Sequence, residues 1–254
     1  RRQRQMCIRD SGISLWTAEN EDQSLFVVNH RRDGHFVEIF DYQDGKLFHR
    51  QSVSGALMHS PNDVLAVGDN TFYVTNDHGS ATKFGRMFED YLQLARSYVL
   101  FYDGKKFRKV AEGLAYANGI NMSPDGQTVY VAATIGQKIY VYDRDRTTGD
   151  LSRRTVIEAG TGVDNIEIDR QGDLWIGAHP KLLTFVKHSK NPGVLSPSQV
   201  IKVEKKASGQ YQIREIYMNN GNPLSGASVA AVFENFLLIG AVFDERFLLC
   251  TVVN

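Results

Sequence analysis

Asparagine and aspartate residues stand at matching places in three separate stretches of the chain. They are Asn62, Asn118, Asp164 and Asn165, which lie at the starts of β-rich segments. If these side chains converge on one point, every group presents an acceptor oxygen, and hydrogen bonds among the groups cannot satisfy them all. A hard cation can, and ligation by oxygen alone suits Ca²⁺ better than zinc, which prefers His or Cys. The alternative is that these residues only start strands or turn the chain.

The elements that would bring these residues together form a long-period repeat. Each unit opens with a small or polar residue, continues through about five alternating or apolar residues, and turns into a second β-rich run. Repeats of roughly 40–50 residues that carry β-hairpins are typical of four-stranded propeller blades. The innermost strands of a propeller line its central channel, so matching strand starts would meet at one end of that channel. The units begin at Gly12, Asn62, Asn118, Asp164 and Ser228.

The number of blades is open at this point. A propeller closes by pairing strands from both ends of the chain, because an open sheet edge is a liability. The chain therefore forms either a compact five-bladed ring or a ring that lacks its N-terminal blade. Since residue 1 is Arg1 and not Met, we expect a single all-β propeller domain over residues 1–254 whose first blade is missing or incomplete.

One segment departs from the β pattern. Apolar residues recur at helical spacing within Phe84–Val99, from Phe84 through Tyr91 to Ala95, with Glu89 off the apolar stripe. This periodicity predicts an amphipathic helix. The helix either packs over the mouth of the propeller or lies on a membrane or lipoprotein surface.

Composition excludes several functions. The 29 basic and 29 acidic residues cancel, which argues against nucleic acid as a partner. The longest apolar runs, such as Phe236–Val242, fall far short of the roughly 20 residues that cross a bilayer. The two cysteines, Cys7 and Cys250, are too few for a disulfide scaffold or a cysteine zinc site. They form one bridge between the termini or remain two buried thiols.

Several short motifs resemble those of the serum paraoxonase/arylesterase family. The resemblance covers essentially the whole chain, in order. It implies a six-bladed propeller with two calcium ions in its channel, which hydrolyses lactones and aryl esters and has a side activity on organophosphate esters. The motifs are Ser60–Val64, Ala117–Ile120, Val163–Ile166, Asn76–His78, Val28–His30, Tyr98–Tyr102 and Ile239–Phe243.

The resemblance also implies roles for individual residues. The ligands of the catalytic calcium would be Asn62, Asn118, Asp164 and Asn165. The buried structural calcium would take Asp63 and the backbone carbonyl of Ile13. His30 matches one member of a proposed histidine dyad, and Tyr116 matches an aromatic wall of the substrate pocket. Cys250 matches a cysteine that joins the termini, and the Phe84–Val99 helix matches one used on lipid surfaces.

Two departures from the family pattern bear on the chemistry. Ser11 stands where the family has its other dyad histidine, at the substrate site, so the usual proton acceptor is absent. The chain also begins after the place of a Glu-Asp pair that would give one carboxylate to each calcium, and after the family's other stapling cysteine. Asp164 is therefore the expected base or nucleophile. His30 becomes an orienting partner or, alternatively, a buried structural histidine.

The function that the resemblance implies is calcium-dependent hydrolysis of aryl esters and lactones by a secreted or membrane-associated protein. The alternatives are a non-catalytic lipid-associated or partner-binding propeller and a hydrolase of sugar lactones. A glycosylation sequon at Asn121 falls in an expected inner strand, where a glycan would not fit. No metal-ligand spacing links the remaining histidines, which are His35, His49, His59, His179 and His188.

Overall fold

The computed structural model describes residues 12–252 as four antiparallel four-stranded sheets and one three-stranded sheet. The first sheet contains β1 (Ile13–Thr17), β2 (Gln23–Arg31), β3 (Gly34–Gln43) and β4 (Lys46–Val53). The second contains β5 (Pro61–Gly68), β6 (Thr71–Asn76), β7 (Ser97–Tyr102) and β8 (Phe107–Leu114).

The remaining sheets follow the same order along the chain. The third contains β9 (Ala117–Met122), β10 (Thr128–Ala133), β11 (Lys138–Arg144) and β12 (Leu151–Glu158). The fourth contains β13 (Gly162–Ile168), β14 (Leu174–His179), β15 (Gln199–Lys205) and β16 (Tyr211–Met218). The fifth contains β17 (Ala227–Phe233), β18 (Phe236–Ala241) and β19 (Phe247–Thr251).

These sheets are five propeller blades, which confirms the predicted fold class and the five units of the repeat. The turn signals explain why the units fold locally as they do. Gly126 and Gly172 close the hairpins β9–β10 and β13–β14 with φ of 68° and 85°, a left-handed conformation that glycine adopts at little cost. The prediction that one domain spans residues 1–254 with an incomplete first blade stays a prediction.

Adjacent blades are held together by separate apolar clusters. The cluster between the first two blades places the Phe26 and Phe72 ring centroids 5.8 Å apart, and three further clusters join the later pairs of blades. The inner strands contact one another in series from β1 through β5, β9 and β13 to β17. Burial of apolar surface between blades therefore fixes where each inner strand starts.

Among the described residues, apolar side chains are exposed on the first blade and on the fifth blade. Ile13 and Leu15 are exposed on β1, and Phe247 and Leu249 are exposed on β19. Within residues 12–252, β1 and β17 make no extensive contact of the kind that joins the other inner strands.

The predicted helix over Phe84–Val99 is wrong in its extent. Helix α1 covers Lys83–Tyr91, and the residues from Ser97 onward form β7. Gln93 has a left-handed φ of 51°, which ends the helix, and β7 is fully buried between β6 and β8. Sheet pairing within the second blade thus overrides helical periodicity in the second half of this segment.

Helix α1 turns its apolar stripe outward. Phe84 and Tyr91 are 68% and 74% exposed, whereas Glu89 is only 4% exposed. A second helix, α2 (Leu182–Lys190), follows β14 and was not expected from the sequence. Neither helix is long and apolar enough to cross a bilayer, and the described residues contain no other helix that could.

Candidate functional site

The starts of the inner strands surround one cavity of about 1090 Å³. The cavity occupies the channel between the blades, and α1 and α2 form part of its wall. The structure thus brings together seven of the residues singled out in the sequence. They are Ile13, Asn62, Asp63, Tyr116, Asn118, Asp164 and Asn165.

The three asparagine side chains of the channel are oriented by hydrogen bonds from their amide nitrogens. In each case Nδ2 donates to a protein oxygen. No hydrogen bond within residues 12–252 engages their Oδ1 atoms, so the amide oxygens are the atoms available to a ligand. The pairs are Asn62 with Asp77 Oδ2 (3.4 Å), Asn118 with Thr134 Oγ1 (2.9 Å) and Asn165 with Ser228 Oγ (2.9 Å).

Asn121 illustrates the contrast. It also lines the cavity, but its Nδ2 donates to Ile166 O (2.8 Å) and its Oδ1 accepts from the Met122 N–H (2.9 Å). Both ends of this amide are therefore engaged by the inner strands. Its place in an inner strand agrees with the expectation that the sequon carries no glycan.

Asp164 is paired with a histidine that the sequence analysis set aside. His179 Nε2 lies 3.0 Å from Asp164 Oδ2, and the imidazole is 1% exposed. Its ring stacks on Phe185 of α2, with centroids 3.6 Å apart. The ring is thus held by the sheet on one side and by α2 on the other, and it fixes the carboxylate of Asp164.

Hairpin register could have revealed this pair. Gly162 at the start of β13 lies opposite His179 at the end of β14. In this hairpin the end of β14 therefore lies beside the start of β13. Asp164 is near the start of that first strand. Searching for metal-ligand spacing between histidines does not detect such a contact, because His179 touches a carboxylate and not another histidine.

Asp63 is a buried carboxylate that has no basic partner among residues 12–252. Its oxygens accept from the backbone N–H groups of Val64 (2.8 Å) and Ile120 (2.9 Å). Burial, with smaller contributions from the nearby charges of Glu167 and Asp164, raises the pKa of Asp63 to about 8. A bound cation would remove this penalty on the charged form. Sequence reasoning missed Glu167, which also lines the cavity.

The donor set fits calcium. Among residues 12–252, no three His, Cys, Asp or Glu side chains are grouped closely enough to hold a metal by themselves. The channel offers amide oxygens, carboxylates and backbone carbonyls instead, which are the ligands of a hard cation. Among the described residues that line the cavity, the one lysine is Lys190 of α2, and there is no arginine.

Comparison with known proteins decides the family. A model of the arylesterase family matches residues 2–252. The chain belongs to the arylesterase family. It is 39% identical over 238 residues to human serum paraoxonase/arylesterase 1, covering 92% of this chain and 66% of that protein. It is 37% identical over 245 residues to serum paraoxonase/arylesterase 2 of Rattus norvegicus, covering 94% and 67%. The chain thus spans about two thirds of the length of these relatives.

Solved structures show the same fold at low sequence identity. A luciferin-regenerating enzyme superimposes with a TM-score of 0.59 at 15% identity, covering 92% of this chain and 70% of that chain. A periplasmic gluconolactonase of Pseudomonas aeruginosa gives 0.53 at 14% identity, covering 89% and 62%. At these identities the likeness concerns the propeller alone.

His30 is not among the described residues that line the cavity of this arylesterase-family chain. Its Nδ1 lies 2.8 Å from His35 Nδ1, and His35 is not among those residues either. Within the described residues, the contact with Asp164 expected of an orienting histidine is made by His179. The role of His30 stays a prediction.

The other expected positions divide into two groups. Tyr116 lines the cavity, and its ring centroid lies 5.2 Å from that of His78. Ser11 and Cys7 lie outside the described residues. Cys250 is a half-buried free thiol in the described part of the chain, so the bridge between the termini stays a prediction.

Proposed function

We propose that the chain is a calcium-dependent hydrolase of aryl esters and lactones, with a side activity on organophosphate esters. One observation carries this proposal. Asn62, Asn118, Asn165 and Asp164 line a single channel, and each of the three amide nitrogens donates a hydrogen bond to a protein oxygen. Membership of the arylesterase family supports the same substrate class.

The channel residues have different roles in the proposed reaction. Asn62, Asn118, Asp164 and Asn165 would hold one calcium, which when bound polarises the ester carbonyl and stabilises the negative charge that develops on its oxygen. The amide nitrogens of Asn62 and Asn118 donate to Asp77 and Thr134. The three amides therefore act as acceptors and orient the cation.

Asp164 is the residue that we place at the reacting atoms. As a general base it takes a proton from the attacking water. In the covalent alternative its carboxylate attacks the acyl carbon, the bond to the leaving oxygen breaks, and water then hydrolyses the resulting anhydride to the free acid and regenerates Asp164. His179 holds Oδ2 of Asp164 through Nε2 at 3.0 Å and leaves the other carboxylate oxygen for the reaction. The leaving alcohol or phenolate receives the proton that the water gave up.

The mouth of the cavity supplies an apolar wall for the organic part of a substrate. Leu182, Phe185 and Val186 of α2 line it together with Phe243 and Tyr91. Such a wall excludes water from the reacting carbonyl and favours aryl and alkyl substituents. A second calcium would bind Asp63 and the Ile13 carbonyl, where its charge would offset the buried carboxylate.

Hydrolysis of phenyl acetate and a γ-lactone tests this proposal. The expected result is loss of both activities in excess EDTA and recovery on adding CaCl₂. Asp164→Asn should lower kcat at least about 100-fold, as expected for removal of a general base. The matched control Asp44→Asn changes an exposed carboxylate in the β3–β4 turn. Turnover that survives chelation, or an Asp164→Asn variant as fast as the control, would refute the calcium mechanism.

The exposed stripe of α1 favours a second candidate, a lipid-associated or partner-binding propeller without catalysis. Phe84, Phe88 and Tyr91 present apolar surface outward, which suits the interface of a lipid or lipoprotein particle. A protein that acts at such an interface would be secreted or membrane-associated. Co-sedimentation with phosphatidylcholine vesicles tests this, since Phe84→Glu should reduce binding and Lys83→Gln should not. Calcium binding without turnover on a broad ester and sugar-lactone panel would favour this candidate over the enzyme.

A further inference from the structure

Helix α1 is docked onto the second blade through its polar face. The Glu89 carboxylate accepts from the Gly79 N–H (2.9 Å) and from Ser80 Oγ (2.5 Å). The Asp90 carboxylate lies 2.9 Å from His78 Nε2. Because the apolar stripe of α1 faces outward, these polar contacts fix the position of the helix on the mouth of the channel.

His78 connects this helix to the blade. Its Nε2 contacts Asp90 and its Nδ1 lies 2.6 Å from Asp77 Oδ1. Although burial disfavours the charged ring, hydrogen bonds to Asp77 and Asp90 raise the pKa of His78 to about 9. At neutral pH the ring is therefore an imidazolium that donates to a carboxylate at each nitrogen.

Asp77 in turn contacts a side chain of the channel. Its Oδ2 accepts from Asn62 Nδ2 at 3.4 Å, and its Oδ1 also accepts from Ser60 Oγ. Asp77 is not among the described residues that line the cavity. A continuous path of hydrogen bonds thus leads from α1 through Asp90, His78 and Asp77 to Asn62.

We propose that Asp77, His78 and Asp90 form a positioning relay that keeps the Asn62 amide oxygen turned toward the channel and thereby sets the affinity of the channel for a divalent cation. The relay rests on the cation site of the proposed function. An amide can present either its oxygen or its NH₂ group, and only the oxygen binds a cation. The carboxylate of Asp77 selects the correct orientation because it accepts hydrogen bonds and cannot donate them.

The relay is needed most at Asn62. The other two channel amides are anchored at 2.9 Å by the hydroxyl groups of Thr134, which follows β10, and of Ser228 in β17. The Asn62 contact is longer, at 3.4 Å, and its acceptor is held in place by His78. Loss of that support lets Asp77 and the amide rotate, which adds a cost to cation binding.

Isothermal titration of the full chain with CaCl₂ tests the relay. His78→Gln cannot bridge both carboxylates, and Asp90→Asn weakens the outer contact. We expect each variant to bind calcium about threefold to tenfold more weakly, as for the loss of one hydrogen bond. Lys83→Gln is the matched control, because it removes a positive charge from α1 without touching the relay.

The direction of the change separates the relay from simple electrostatics. Removing a positive charge near the channel would by itself tighten calcium binding. The relay is therefore supported if His78→Gln binds calcium more weakly while Lys83→Gln binds it equally well or more tightly. Affinity in both His78→Gln and Asp90→Asn equal to that of the unmodified chain would overturn the relay alone. An unmodified chain that binds no calcium would overturn the proposed function and the relay together.

Discussion

Replacing Gly119 by alanine tests whether the close approach of inner strands builds the channel. A Cβ at residue 119 would lie 2.5 Å from the Asp164 carbonyl oxygen, 2.7 Å from Asn165 Cα and 2.9 Å from the Ile166 nitrogen. All three atoms belong to the backbone of β13, so no side chain can rotate away. Since ordinary contacts begin near 3.4 Å, β9 and β13 would have to separate by roughly 0.9 Å.

The expected loss of folding stability in Gly119→Ala has two sources, overpacking and a strained hydrogen bond. Overpacking a close contact costs about 1–3 kcal/mol. The movement of β9 also weakens the bond from the Ile120 N–H to the Asp63 carboxylate, 2.9 Å long in the structure, and bonds to charged groups contribute about 1.5–3 kcal/mol. We expect Gly119→Ala to lower the free energy of unfolding by about 3 kcal/mol. For a domain of this size that is a fall in Tm of about 6–12 °C.

Differential scanning calorimetry with and without calcium measures this effect. Gly136→Ala is the matched control, because a Cβ there would make only ordinary contacts of 3.5–3.6 Å. The control should leave stability unchanged within about 0.5 kcal/mol or raise it slightly. Gly119→Ala should also weaken calcium binding, because Asn118 and Asn165 move apart with the strands. A variant as stable as the control, with unchanged calcium affinity, would refute this account of the channel.

Three further predictions follow from single side chains. Asp63→Asn should reduce the stabilisation by calcium, because the deep site loses its carboxylate while the other proposed calcium site remains; thermal unfolding in EGTA and in CaCl₂ measures the difference. The pKa of His78 in the folded protein is about 9, against an ordinary value of 6.5. Protonation of His78 therefore contributes up to about 3 kcal/mol to the free energy of unfolding below pH 6.5, and this contribution is lost as pH rises through 9. Urea unfolding from pH 6 to 10 measures the loss. Thr134→Val should cost about 1–3 kcal/mol and weaken calcium binding, because Asn118 Nδ2 and the Val163 carbonyl lose their partner.

Each of these predictions has a control. An Asp63→Asn variant that gains as much Tm on adding calcium as the unmodified chain would contradict the deep site. A His78→Gln variant with the same loss of stability between pH 6.5 and 9 as the unmodified chain would assign that loss to other groups. Thr134→Ser keeps the hydroxyl and should retain calcium affinity, so equal losses in both variants would rule out the hydroxyl as the anchor of Asn118.

The blades were predictable because their signals are local. Turns such as the one at Gly126 lie between β-rich runs of matching length, and a hairpin depends on residues close together in sequence. The same local signal located the strand starts at Asn62, Asn118 and Asp164. Their convergence then followed from propeller architecture.

The segment after Thr82 was only partly predictable. Its helical stripe is real over Lys83–Tyr91, but the stripe faces outward and the buried residue is Glu89. Periodicity identifies an amphipathic helix without stating which face the rest of the protein covers. The helix ended early because Ser97–Tyr102 completes the second blade, and that depends on pairing with β6 and β8.

By itself the sequence determined which groups could bind a cation, because the amide and carboxylate residues and the β-rich segments that carry them can be identified from the order of residues. Only the tertiary structure decided which atom of each amide is engaged by the protein and which is left for the channel. Those choices depend on partners that are distant in sequence: Thr134 lies 16 residues from Asn118, and Ser228 lies 63 residues from Asn165. Packing of one strand or blade against another brings such partners within hydrogen-bonding distance, and no local pattern records that contact.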